Sequence, residues 1–566
     1  MKAAITTPAW ATLFKTMDCM PLLRRSFCAT LAVSALFVGN VGGYTPPLSA
    51  APVQQSRTLL YLEKQAHKSL YPPAGGFYPN GGILAQITDR LTWQNTQTLR
   101  MEPWIATSWQ INTDNTVYTF TLRPDVTFSD GTPVDAAAVA LNFDTYGKGN
   151  KALHLPPSEV INNYDHSEVL DPHTVRFYFS KPSPGFLQGT SVIGSGLVST
   201  RLLHKPLEQW GDGRNIIGSG PFIVQDDVPG KSITLRARPD YAWGPPELAP
   251  QGPARLDAIR ILVVPEDSIR IGAFLSGQAD FIREVEAYDE GQITRSGNRL
   301  YAPSTRGVND SVVFRPDNDK VADRRVRLAL LRATDREEIL RTLFSPRYPL
   351  ARSILASDTQ GFQNHSAELG YDPEQAKHLL DEAGWLQHPD GWRYRNGQIL
   401  SLGIHVSAPH PQSRSMLVLL AQQWRKVGVR LDILTGSPAM VVLDDLDPQT
   451  TPLYQAEVGR ADPDVLKSAY YPTNRNVLLQ KGGQSQHVRH FTDPECNRLL
   501  LAIASETDPK RRLDLVADVQ NAILTNAYSI PIFEEPQVYA GSAHVHDMHF
   551  EAVGRPVFYR ASLDQP

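Results

Sequence analysis

The sequence predicts an α/β protein of more than one domain, and three observations lead there. At 566 residues the chain is too long for one ordinary hydrophobic core. Its composition, 41% hydrophobic, 9% aromatic and 20% charged, suits a folded soluble protein rather than a disordered or membrane-embedded one. Strand-like alternation and helix-like periodicity also succeed each other along the chain, which is the pattern of layered helices and sheets rather than of a sandwich or a bundle. The balance of 55 Lys and Arg against 59 Asp and Glu argues against a surface built to follow phosphate backbones, so no nucleic-acid partner is expected.

The first element is a leader. Arg24 and Arg25 precede an apolar run from Phe27 to Val38, and small residues follow at Ser49, Ala50 and Ala51, which predicts a signal peptide over residues 1–51. Its removal takes four cations (Lys2, Lys15, Arg24 and Arg25) together with Asp18 and moves the net charge from -4 to -7. Cys19 and Cys28 leave with it, so Cys496 stands alone and no internal disulfide is possible. Phe27 is too bulky for a lipoprotein box before Cys28, and no later segment holds the roughly 18 uninterrupted apolar residues of a membrane span. A free periplasmic protein is expected.

In the mature chain, Val117 to Leu122 alternates with Tyr118, Phe120 and Leu122 on one face, which predicts a half-buried strand. The turn Ser129-Asp130-Gly131-Thr132 leads to a short helix with Ala136, Val139, Ala140 and Phe143 at helical spacing, and a second strand follows at Thr174 to Phe179. After Tyr371 the pattern is a capped helix: Asp372 as cap, Pro373 at the first helical position, Gln375 in the first turn, a stripe of Ala376, Leu379, Leu380 and Ala383, and Gly384 as the left-handed stop. Another helix carries Leu417, Leu420, Ala421 and Trp424, ends at Gly428 and passes into a strand with Val429, Leu431 and Ile433 on one face. A last helix starts at Asp508-Pro509 and precedes a strand-like Ser529 to Phe533.

Taken in order, several segments resemble the family 5 extracellular solute-binding proteins, the dipeptide, oligopeptide and nickel-complex receptors of ABC importers. The blocks are Pro103-Trp104-Ile105-Ala106-Thr107-Ser108-Trp109, Tyr118 to Arg123 and Phe128-Ser129-Asp130-Gly131-Thr132-Pro133-Val134, then Gly218 to Phe222 with Arg238 to Tyr241, Gly277 to Asp280, Val326 to Leu330 with Asp335-Arg336, and Tyr371-Asp372-Pro373 through Gly384-Trp385. The resemblance implies a two-lobed periplasmic binding protein of type II, from the large cluster with an extra subdomain, which encloses ligand in the cleft between its lobes by hinge closure. The implied limits are 52–91, 218–306 and 528–566 for the first lobe, 92–217 for a subdomain inserted in it, and 307–527 for the second lobe. The implied function is a monomeric receptor, without cofactor or catalysis, that passes a short peptide or amino-acid-derived solute to ABC permease subunits. The opening Tyr61 to His67 and the segment Asn309 to Arg315 depart from the family's usual forms, which implies a different substrate.

Peptide receptors of this family take the ligand's ammonium on an aspartate in an aromatic-x-Ala-Asp segment, and Gly459-Arg460-Ala461-Asp462 keeps its last two residues. Asp462 is therefore the candidate acceptor, since a carboxylate in a cleft shut off from water makes strong charge-assisted bonds; the alternative is a turn or helix start before Pro463. Arg460 is a candidate for a ligand carboxylate. Tyr71, Phe77 and Tyr78 beside Gly75 and Gly76 suit an aromatic wall, against the alternative of loop aromatics packed on the domain, and Arg306 and Asn309 lie near the expected hinge crossing. Trp385 and Trp424 read as packing.

No metal site is expected. His487 and His490 keep open a second reading, a receptor for nickel or iron held by an organic chelator; His544, His546 and His549 stand on a possible edge. Enzyme readings find no G-x-S-x-G, Walker A, H-E-x-x-H or G-x-G-x-x-G motif, and Cys496 at the start of an apolar helix stripe reads as a buried small hydrophobe.

Overall fold

Alternation in the strand Thr58–Glu63 sets the first sheet, with Leu59 and Tyr61 on one face and Leu60 and Leu62 on the other. In this computed structural model residues 57–564 are described, apart from 151–154, 250, 408–411, 437–439, 442–443, 445–446 and 473–492. The expected leader and His487 and His490 lie outside the described residues. Thr58–Glu63 runs parallel to Ala258–Val263 and to Phe281–Arg283. Antiparallel neighbours extend the sheet to seven strands, ordered Arg299–Tyr301, Tyr539–Gly541, Phe281–Arg283, Thr58–Glu63, Ala258–Val263, Ser232–Ala237, Phe222–Val228. A separate core lies on each face: Tyr61, Ile261 and Phe281 join one, and Leu62 and Ile282 join the core that fills the second lobe.

A four-stranded antiparallel sheet is inserted in the first lobe, in the order Ala106–Ile111, Val117–Leu122, Thr174–Phe179, Tyr164–Asp171. Tyr118, Phe120 and Leu122 are buried as their alternation predicts, and the rings of Tyr118 and Phe120 meet Phe186 and Phe177 edge-on. The helix Ala136–Lys148 covers this sheet, and Asp135 caps it by accepting the amide of Ala138 at 2.8 Å.

The strand Gly307–Phe314 leads into the core that Leu62 and Ile282 join. All eight residues are buried, and it pairs antiparallel with Leu453–Gly459 and Ser529–Phe533. Gly307 opens it at φ 112°, where a Cβ would lie 2.2 Å from the carbonyl oxygen of Val458, so only glycine lets these two strands approach. Beyond it the local signals produce the elements they predict. Asp372 accepts the amide of Gln375 at 2.8 Å at the head of Pro373–Glu382, and Gly384 closes that helix at φ 79°. Ser413–Arg425 buries Leu417, Leu420 and Trp424, turns at Gly428 and returns as Arg430–Leu434, parallel to Ser401–His405. Trp385 and Trp424 are core residues. Cys496 is buried near the start of Pro494–Ile503, and burial pushes its thiol up to about 12, which disfavours the thiolate. No described helix is long and apolar enough to cross a membrane.

Candidate functional site

Separate parts of the chain wall a partly open cavity whose empty space, counted out into the solvent at its mouth, is about 690 Å³. The N-terminal stretch contributes Gly76, Arg90 and Trp93, and the C-terminal turn Glu551 and Arg555; the loops and short helices around the four-stranded sheet contribute Ser158, Glu159, Gln188 and Ile193; the end of the strand Leu453–Gly459 contributes Gly459 and Arg460. Arg90 is delivered just past the end of the helix Tyr78–Ile87, Arg460 at the end of the strand Leu453–Gly459, and Glu551 and Arg555 by the C-terminal turn after His549–Phe550. Trp93 and apolar Ile193 give the walls shape, while three guanidiniums and two carboxylates give them charge of both signs.

The second-lobe corner is a network of buried charges. Arg460 gives Asp464 two hydrogen bonds, at 2.8 and 3.1 Å, and reaches Ser468 at 3.2 Å. Burial works against the Arg460 charge, but Asp464, Glu159 and Asp462 together outweigh it and raise its basicity. Asp462 is held through both oxygens by Arg512, at 2.6 and 3.0 Å, and accepts the amide of Asp464 at 2.9 Å. Burial alone would raise the Asp462 carboxyl; the Arg512 guanidinium overrides it and holds the group below the usual carboxylate range. Asp464 moves the other way, raised by burial that Arg460 only partly offsets.

This corner touches the inserted subdomain directly. Asn162 donates to Asp464 Oδ2 at 2.8 Å and accepts from Lys467 Nζ at 2.9 Å, and Asn163 donates to Ser505 Oγ at 3.1 Å. A Cβ on Gly185 would lie 3.4 Å from Asp462 Oδ2. The second lobe and the insert are thus bonded to each other beside the cavity.

Of the residues the sequence offers, the cavity receives Arg460. Asp462 sits behind it with its carboxylate paired to Arg512. Tyr71 is 6% exposed and packs on Tyr146 and Trp210; within its loop it is Pro73 and Gly76, not Tyr71, that reach the cavity. Phe77 is half-buried under Lys68 Nζ, and Tyr78 donates to the carbonyl of Val553 at 2.5 Å while Arg555 lies over its ring at 4.5 Å. Tyr78 therefore supports the wall from outside. Arg306, at φ 48°, bonds the carbonyls of Ala552 and Thr96 and pairs with Asp358, and Asn309 is buried with its amide on the carbonyls of Ser353 and Leu355. Both hold the crossing rather than line the cavity. His544 and His546 share Asp564.

Arg90, Glu159, Glu551 and Arg555 are cavity residues that the sequence reading missed. Two signals were available: the charged pair Asp89-Arg90 just after the largely apolar Ile83 to Ile87, and Glu551 and Arg555 four apart in the otherwise uncharged stretch Phe550 to Tyr559.

Comparison with known proteins agrees with this architecture. The model of the family "Bacterial extracellular solute-binding proteins, family 5 Middle" matches residues 100–476. The chain is similar to the glutathione-binding protein GsiB of Salmonella paratyphi A, 23% identical over 465 residues, covering 79% of this chain and 83% of that one. It is 24% identical over 567 residues to heme-binding protein A of Haemophilus influenzae, covering 95% and 98%. Among solved structures, the dipeptide-binding protein of Pseudoalteromonas sp. SM9913 in complex with Met-Leu has the same fold, with a TM-score of 0.75 at 20% identity over 90% of this chain and all of that one. The family match spans most of the chain, and the chain belongs to the bacterial extracellular solute-binding proteins of family 5.

Proposed function

We propose that this protein is a periplasmic receptor that encloses a small amphoteric solute, a short peptide or amino-acid derivative, between its lobes and passes it to the permease of an ABC importer without transforming it. In this reading residues 1–51 export the chain, 92–217 form the inserted subdomain and 307–527 the second lobe, and the mature protein acts as a monomer. The observation that carries it is the mixed charge of the cavity wall. Arg460, buried and already oriented by Asp464, meets a carboxylate of the solute; Glu159, on the facing insert, meets its ammonium. Asp462 meets an ammonium only by exchanging Arg512, so its part here is to brace the corner that carries Arg460.

The test is calorimetric titration of the full exported chain with a pool of short zwitterionic peptides. Arg460→Ala is expected to weaken binding by about tenfold or more, about 1.4 kcal/mol or above. Unchanged affinity in Arg460→Ala, with loss in Asp462→Ala, would move the ammonium site to Asp462 and overturn the assignment. The runner-up, a metal-chelate receptor, predicts that His487→Ala or His490→Ala is the damaging change.

A further inference from the structure

Among the described residues, some buried arginines are held almost wholly by the protein. Arg238 and Arg270 each make five hydrogen bonds to the protein and Arg393 makes four, mostly to backbone carbonyls; these guanidiniums are saturated and serve the fold. Arg90 and Arg555, on the cavity wall, are as deeply buried, at 1% and 4% exposure. Among the described residues Arg90 bonds only the carbonyls of Ser191 at 3.2 Å and Thr88 at 3.5 Å, and Arg555 only Glu551 Oε1 at 2.7 Å and the carbonyl of Gly76 at 3.1 Å. The Nε of Arg555 is buried without a partner, and Nη2 of Arg90 stops 3.9 Å from Glu551 Oε2.

Their planes are nevertheless fixed. Arg90 lies 4.8 Å from the Trp104 ring and Arg555 lies 4.5 Å from the Tyr78 ring. The other carboxylate next to Arg90, that of Asp89, is committed to the Tyr241 hydroxyl at 3.0 Å and the Trp243 indole at 2.8 Å. Two rigid guanidiniums, Arg555 with a buried unmet Nε and Arg90 with Nη2 short of a close partner, share one carboxylate, Glu551, at the edge of a cavity. Leaving buried donors unmet is unfavourable, and a ligand oxyanion relieves it.

We propose that Arg90 and Arg555, with Glu551 between them, form an oxyanion-binding wall on the first lobe, so that the solute is acidic and presents a carboxylate there beyond the groups met by Arg460 and Glu159. This rests on the reading that the cavity holds an amphoteric solute. A carboxylate fits better than a phosphate, because Glu551 and Glu159 repel a second negative charge.

The experiment is native mass spectrometry of the full exported chain and its Arg555→Gln variant after incubation with paired probes, Gly-Glu with Gly-Gln and Ala-Asp with Ala-Asn, and separately with inorganic phosphate. The melting temperature of the variant is recorded first. The expected result is retention of the acids over the amides by about tenfold or more on the unaltered protein, lost in Arg555→Gln. Equal retention of acid and amide on the unaltered protein overturns the proposal whether or not the variant folds, and leaves the solute reading standing. Retention of phosphate but of no peptide, dependent on Arg555, supports the oxyanion wall, overturns the carboxylate assignment and sinks the peptide reading. Retention of no probe overturns both.

Discussion

Asp462 offers two oxygens, and Arg512 holds both of them inside a site where neither charge has much water. Removing one partner of such a pair strands the other, at a cost of about 3–5 kcal/mol. Asp462→Ala and Arg512→Ala should each lower the unfolding free energy by about 3 kcal/mol, and the double variant by clearly less than the sum; a urea-denaturation double-mutant cycle measures this. Asp89 makes a pH prediction. Burial raises its carboxyl from 3.8 to about 6, against the bonds from Trp243 and Tyr241 that favour the charged form. The folded state therefore holds the proton more tightly than the unfolded chain, so the contribution of Asp89 is most favourable below about pH 4 and declines as pH rises to about 6, by about 3 kcal/mol in all. Asp89→Asn cannot titrate, and the difference in unfolding free energy between it and the unaltered protein should change by that amount between pH 4 and pH 7. Little of this was legible beforehand. The motif around Asp462 stood out, but its partner lies fifty residues away in a helix with no local sign of the contact.

At the scale of elements, the legible parts were those whose causes are local. The helix Pro373–Glu382 carries its cap, its proline and its terminating glycine within thirteen residues, and each acts as its chemistry dictates. The joining of elements is different, because it depends on which distant segments meet. Asn162 shows this: an asparagine in a loop before the strand Tyr164–Asp171, unremarked in sequence, is bonded to Asp464 and Lys467 of the second lobe. Because Asp464 also orients Arg460, the contact ties Arg460 of the cavity wall to the loop before the strand Tyr164–Asp171. Asn162→Ala should raise the dissociation rate of a retained solute by about tenfold, as loss of two polar contacts to charged groups predicts, and lower the unfolding free energy by about 1–3 kcal/mol, because Asp464 and Lys467 each lose a buried partner. Stopped-flow dissociation read beside a thermal melt separates these effects.

The whole molecule places two hydrophobic cores on the faces of one sheet and leaves a charged cavity where the first lobe, its insert and the second lobe converge. Alternation, caps and the ordered blocks from Pro103 to Trp385 made the two-lobed α/β fold legible, whereas the cavity wall draws on positions 90, 159, 460 and 555, which no local pattern relates. The central claim is that this cavity encloses an amphoteric organic solute. Native mass spectrometry of the exported protein, purified without refolding and with metal analysis on the same sample, tests it most directly. The account predicts one metal-free adduct per chain, of peptide-like mass, that is lost in Arg460→Ala. A stoichiometric metal with an organic chelator, retained in Arg460→Ala and lost in His487→Ala or His490→Ala, would contradict it.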